Sequence, residues 1–192
     1  MGRWEPNARG RLAEAALELY SERGFEQTTV AEIAGRAGLT ERTYFRHYAD
    51  KREVLFSNSE LQDLLVAATE GAPAALAPID VLAVGLDAVS EMFEDRRAHA
   101  RKRQAVIAAN AELQERELIK LASLSAALAG TLRRRGVPEP AAGLTAEAGI
   151  AVFKVGFERW LAESEERGMA TVMRELLGEL KAVAAGGHGH GA

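Results

Sequence analysis

Between Glu41 and His47 the chain concentrates side chains that can meet a nucleic acid: Glu41, Arg42, Thr43, Arg46 and His47. If this stretch is helical it makes barely two turns, and residues three and four apart share a face. Such a face suits the major groove, where every base pair displays its own pattern of donors and acceptors. Arg42 can pair with guanine, Thr43 can set its methyl against thymine, and Glu41 can accept from cytosine. Thr28, Thr29, Thr40, His47 and Lys51 suit phosphate oxygens instead. Hydroxyls, backbone N–H groups at helix starts and cations bind those oxygens without reading sequence, and so set the register.

Other chemistries lack their residues. There is no G-x-S-x-G, no P-loop, no G-x-G-x-x-G after a strand and no H-E-x-x-H. The chain has no cysteine, which removes thiolate nucleophiles, disulfides and Cys-ligated zinc together. Its four histidines, His47, His99, His188 and His190, are scattered. The tail around His188 and His190 (186–192) reads as a disordered terminus rather than a metal site. Carboxylates such as Glu158, Glu163 and Glu165 have no partner that would make a cleft of them. The expectation is a protein that is not an enzyme and carries no metal or cofactor.

The reading stretch needs a frame, and the sequence supplies one. Thr29 and Glu32 form a capping box at the start of a helix whose Val30, Ile33, Ala34 and Ala37 make a narrow apolar face. Gly38 ends that helix, Leu39 folds back on it, and Thr40 starts the next, with Tyr44 and Tyr48 facing inward. Ahead of them, a first helix from Asn7 or Ala8 to Arg23 places Leu12, Ala15, Ala16, Leu19 and Tyr20 on one side and closes at Gly24. Together these make a three-helix head with a helix-turn-helix. Arg3, Trp4 and Arg9 could reach DNA as an N-terminal arm, but solvent exposure is the expected reading. Asp50 is expected to cap a fourth helix running from Lys51 through Val54, Leu55, Phe56, Leu61 and Leu65.

The run TTVAEIAGRAGLTERTYFRHYADKREVLF (28–56) resembles the DNA-binding domain of the TetR family of bacterial transcriptional regulators. The resemblance covers the first quarter to third of the chain. It rests on the threonine-capped AEIA helix, the AGLT turn, the aromatic-rich second helix and the D-K-x-x-x-L-F exit. It implies DNA contacts from Thr43, Phe45, Arg46 and His47, and a phosphate contact from Lys51. Phe45 stands where many relatives have tyrosine, so that hydroxyl bond is lost and Phe45 is expected to be mainly a packing residue.

The net charge of −4 argues against indiscriminate nucleic-acid binding, but Arg36–Glu53 holds five basic residues against three acidic ones. That balance suits a specific binder with few phosphate contacts, whose affinity falls with salt. No run reaches membrane-spanning length and the N-terminus has no hydrophobic signal region, so a cytoplasmic protein is expected.

From Ile79 onward the pattern is helical, with segments near 79–95, 97–109, 111–135, 141–165 and 171–185 and no alternating strand. The fold class is therefore all-α: a helix-turn-helix head (1–50) followed by a helical regulatory and dimerisation domain (51–185). The clusters Arg101–Arg103 and Arg133–Arg135 read as solvated helix surface, the former salt-bridged to Glu91, Glu94 and Asp95. Gly149, Val152, Gly156 and Trp160 make a stripe of alternating small and large residues. By the resemblance it belongs to a helix pair that forms a four-helix bundle in a two-fold dimer. The resemblance also implies a small-molecule effector, for which Met92, Phe93, Phe153 and Phe157 are the candidate pocket residues. The expected function is a homodimeric regulator, a repressor, that binds a pseudo-palindromic operator and is released by the effector. The alternative is an all-α adaptor or antirepressor whose head binds protein.

Overall fold

The computed structural model describes residues 7–56, 59–163 and 167–186, and all regular structure in them is helical. The elements are α1 (Ala8–Arg23), α2 (Val30–Arg36), α3 (Glu41–His47), a 3-10 turn (Glu53–Leu55), α4 (Ser59–Gly71), α5 (Pro78–Met92), α6 (Arg97–Ala108), α7 (Ala111–Arg134), α8 (Ala141–Ala162) and α9 (Met169–Ala184). Arg3, Trp4, His188 and His190 lie outside the described residues. No helix among the described residues is long and apolar enough to cross a membrane.

The chain divides into two compact units, and the division is interleaved rather than a single cut after residue 50. The first takes the residues up to 58 together with Ala98–Lys120; the second takes Ser59–Arg97 and the residues from Leu121 on. The reason lies in burial. Val106, Ile107 and Leu113, from α6 and the start of α7, share one core with Leu12, Leu19, Phe25, Ile33, Tyr44 and Tyr48.

Local chemistry explains the boundaries in the first unit. Asn7 caps α1 by accepting from the Gly10 N–H at 3.1 Å, and the Gly24 N–H closes it on the Tyr20 carbonyl. At α2 the capping box is complete: the Glu32 N–H donates to Thr29 Oγ1 at 3.3 Å, and the Thr29 N–H donates to Glu32 Oε2 at 2.9 Å. Gly38 ends α2 at φ 66°, a conformation that costs a side-chain-bearing residue energy, and the Leu39 N–H reaches back to the Ala34 carbonyl at 2.8 Å.

The fourth helix does not begin at Lys51. Asp50 does cap, but its Oδ1 accepts from the N–H groups of Arg52 (2.8 Å) and Glu53 (3.1 Å), which closes a turn and a 3-10 segment. Val54 and Phe56 then bury in the first core, and α4 starts at Ser59. The apolar spacing of this segment fits a helix face equally well. Tertiary burial decides the outcome.

The second unit packs α4, α5, α8 and α9 with the part of α7 beyond Lys120. Its core joins Leu65, Val81, Leu82, Leu128, Leu132, Ala146 and Ile150. Pro78 opens α5, where its missing N–H would have had no helical partner. At the far end of α7, Arg135 donates to the carbonyls of Glu70, Ala72 and Pro73 at 2.8 to 3.0 Å and so caps the end of α4. Arg134 pairs with Glu70 at 3.3 Å and Arg133 with Glu139 at 2.6 Å, so this cluster is anchored rather than merely solvated.

Candidate nucleic-acid interface

The turn after α2 and the packing of two tyrosines set the outward face of α3. Tyr44 is fully buried, and its hydroxyl donates to the Asp50 carbonyl at 3.0 Å; Tyr48 is also buried, and its hydroxyl donates to the Arg9 carbonyl at 2.9 Å. With those rings turned inward, Glu41, Arg42 and Arg46 are exposed, and Thr43 and His47 are half-buried at the margin. Arg42 and Arg46 form no ion pair among the described residues. Arg36, by contrast, is held by Glu18 and Glu22, each at 3.0 Å, and Arg52 by Asp50 at 2.9 Å. Arg42 and Arg46 thus lie together on α3 without a carboxylate partner among the described residues.

Thr40 caps α3: its Oγ1 accepts from the Thr43 N–H at 3.2 Å and lies 3.1 Å from the Thr43 hydroxyl. Thr29 is exposed at the start of α2, with its hydroxyl on Glu32 at 2.9 Å. His47 differs from its neighbours. Its Nε2 is buried without a hydrogen-bond partner, and burial, followed by the charges of Arg46 and Arg9, pushes its pKa below the ordinary histidine value.

Three expectations about this face need correction. Thr28 is 2% exposed and its hydroxyl donates to the Gly24 carbonyl at 2.8 Å, so it holds the α1–α2 turn and its side chain cannot reach a phosphate. Phe45 is not a packing residue: it is 55% exposed and meets the Tyr44 ring only edge-on, at 5.6 Å. Lys51 is turned toward the head, with Nζ donating to the Phe25 carbonyl at 3.0 Å and lying 4.1 Å from the centre of the Phe25 ring. One of its three protons is thus already engaged.

Residues that the sequence pattern leaves on the surface are drawn in beneath the interface. Arg103 donates to the Leu55 carbonyl at 3.1 Å, lies over the Phe56 ring and pairs with Glu117 at 3.6 Å, rather than with Glu91, Glu94 or Asp95. Arg116 reaches both Asp50 and Glu53 at 3.3 Å. Burial opposes the Asp50 charge, but the Arg52 guanidinium and the backbone N–H groups of Glu53 and Arg52 hold its carboxyl below the usual range.

In the second unit neither the expected pocket nor the expected dimer stripe lies where the sequence pattern puts it. The cavity there is small, about 10 Å³, roughly what one water needs. It is walled by apolar side chains from four helices, among them Leu61, Leu65, Leu82, Leu128, Ile150 and Phe153. Of the candidate pocket residues only Phe153 lines it. Phe93, Phe153 and Phe157 pack instead as an aromatic cluster with Trp160, at ring separations of 5.4 to 6.2 Å, and Met92 is half-buried at the end of α5 away from the cavity.

Gly149, assigned to the dimer face, is a cavity wall, and a Cβ there would lie 3.0 Å from Leu82. A Cβ on Gly156 would lie 2.5 Å from Met173 Sδ on α9. Val152 and Trp160 are buried, the indole beneath the Arg97 guanidinium at 4.7 Å. All four residues are interior to one chain. The side of α8 that faces out carries Leu144, Ala151 and Val155. Exposed Glu147, Lys154 and Glu158 flank that side, whereas the inward four carry no charge.

With this geometry in place, the likeness to known proteins is specific. The model of the bacterial regulatory proteins of the tetR family matches residues 12–57, and that of the MftR C-terminal domain matches residues 76–185. The HTH-type transcriptional regulator TcmR of Streptomyces glaucescens is 38% identical over 88 residues, which span 45% of this chain and 39% of TcmR. The protein designated as mycofactocin biosynthesis transcriptional regulator MftR in Mycobacterium tuberculosis is 29% identical over 140 residues, 70% of this chain and 69% of that one. In fold, the chain resembles the transcriptional regulator FadR of Bacillus subtilis in complex with stearoyl-CoA, with a TM-score of 0.61 at 19% identity over 93% of this chain and 99% of that one. One match covers the head and the other more than half of the chain: the protein belongs to the TetR family of bacterial transcriptional regulators.

Proposed function

We propose that the protein is a sequence-specific DNA-binding repressor that grips a pseudo-palindromic operator as a homodimer and lets go when a small molecule enters its second unit. One observation carries the DNA reading. Tyr44 and Tyr48 are locked inside the head, so Arg42, Thr43 and Arg46 are presented together from a short helix with their polar ends outward. A short helix that enters the major groove with its N-terminal residues first needs this arrangement. Arg42 reads guanine, and Thr29, Thr40, Thr43 and His47 hold the flanking backbone.

The dimer uses the outer side of α8. Leu144 and Val155 are 69% and 51% exposed, and Ala151 between them is exposed as well, at the spacing of one helix side. A two-fold axis there sets one such stripe against its copy and presents two α3 helices to half-sites about 10 bp, or a multiple, apart. The effector is apolar. Only hydrocarbon side chains and a glycine line the cavity, so a charged ligand would leave its charge unpaired. Of the stearoyl-CoA found with FadR only the acyl chain has that character, since its CoA part is charged. Because the cavity is so small, binding must open it, and the ligand's preference for the opened form limits how far it can weaken DNA binding.

Selection of random duplex DNA on the purified protein, repeated with added apolar ligands, tests this reading. An enriched palindrome released by such a ligand is the expected result. Weak, sequence-indifferent binding by protein refolded free of ligand would favour an adaptor whose head binds protein.

A further inference from the structure

We propose that Arg9, on the first turn of α1, grips a DNA backbone phosphate beside His47 and so extends the interface beyond the helix-turn-helix. The inference rests on the DNA-binding reading above.

The packing of α1 against the end of α3 places Arg9 there. The Tyr48 hydroxyl donates to the Arg9 carbonyl at 2.9 Å, which fixes the α1 backbone against α3. The Arg9 guanidinium lies 5.9 Å from the centre of the Tyr48 ring, and that ring lies 6.4 Å from the His47 ring. Arg9 is exposed, and its charge, with that of Arg46, is felt at His47. Three basic side chains from two helices therefore converge at the C-terminal end of α3.

The position determines what Arg9 meets. The N-terminal end of a reading helix carries the residues that touch base edges. Arg9 and His47 sit at the opposite end, where the duplex offers backbone. A guanidinium fork matches phosphate oxygens two at a time.

The test compares the full chain with Arg9→Gln and Arg9→Lys on the selected duplex and on a scrambled one, across a salt series. Because Tyr48 binds the backbone of Arg9, neither substitution removes that contact, and an unchanged thermal midpoint verifies this. Arg9→Gln is expected to weaken both duplexes alike, about three- to tenfold, and to lower the salt slope by about 0.9, one phosphate's worth. Arg9→Lys is expected to keep most of the slope. Unchanged affinity and slope in Arg9→Gln, beside a wild type that binds well, would overturn the assignment alone. A loss confined to the selected duplex would overturn it in favour of a base contact. If the wild type binds no duplex, the DNA reading itself fails and this inference falls with it.

Discussion

Helices α3 and α8 differ in how plainly their sequences mark the side that faces out. Tyr44 in α3 and Tyr48 just beyond it are buried and Glu41, Arg42 and Arg46 opposite them are polar, so orientation follows from polarity, with exposed Phe45 the exception. In α8 one side carries Gly149, Val152, Gly156 and Trp160, and the other carries Leu144, Ala151 and Val155. Both carry apolar residues at helical spacing, though the second is flanked by exposed Glu147, Lys154 and Glu158, and packing fixes which is buried. The first lies in the chain's own interior, where Gly156 admits the Met173 thioether and Trp160 is covered by Arg97 and Phe157. A helix with one polar side states its orientation in its sequence. A helix with apolar residues on both sides states it less plainly.

The contrast can be broken experimentally, and the largest effect belongs to the inner side of α8. Trp160→Ala should cost about 3–5 kcal/mol of stability in denaturant unfolding, since a buried indole leaves a void its neighbours fill only in part. If it instead separates the dimer and leaves unfolding unchanged, the two sides have been assigned in reverse. On the outer side, Leu144→Glu with Val155→Glu should weaken the dimer by about 2–4 kcal/mol, because like charges would be buried against their copies. Sedimentation reads that change, and chain stability should move by no more than about 0.5 kcal/mol, as for an ordinary surface substitution.

On α3, where polarity is sufficient, the effects should appear in DNA binding and leave folding alone. Arg42→Ala should cost about 1–3 kcal/mol on the selected duplex and relax preference at one base position. An equal loss on every sequence would make Arg42 a phosphate contact. The smallest effect is pH-dependent and concerns the support beneath α3. The Asp50 carboxyl is held below its ordinary range, so its contribution is fully present above the unfolded value, near pH 4, and is lost as pH falls through the lower folded value. Unfolding of Asp50→Asn followed between pH 3 and pH 7 should show a shallower acid loss than wild type. Parallel curves would remove Asp50 from the acid response.

Much of the head was legible because its signals are local. The Thr29–Glu32 capping box, the Gly38 turn and the Thr40 cap act within a few residues of themselves, and each is present in the structure. Elsewhere the same kind of reading fails where a distant partner decides. Thr28 is a hydroxyl at a helix start like Thr29, but the Gly24 carbonyl claims it. Val54, Leu55 and Phe56 have helix-like spacing, but the first core takes Val54 and Phe56 and leaves a 3-10 turn. Arg9 lies 38 residues ahead of His47 in sequence, and no local pattern connects them.

The sequence by itself determined the helical class, the order of the helices, the caps that bound the head and the polar side of α3, because each follows from spacing and short-range hydrogen bonding. Tertiary structure alone decided which residues wall the cavity, how α6 and α7 are divided between the two units, and which cations of the head are held by carboxylates. Those outcomes depend on competition for the same buried space and the same carboxylates among residues far apart in the chain, and neither residue type nor spacing records the result.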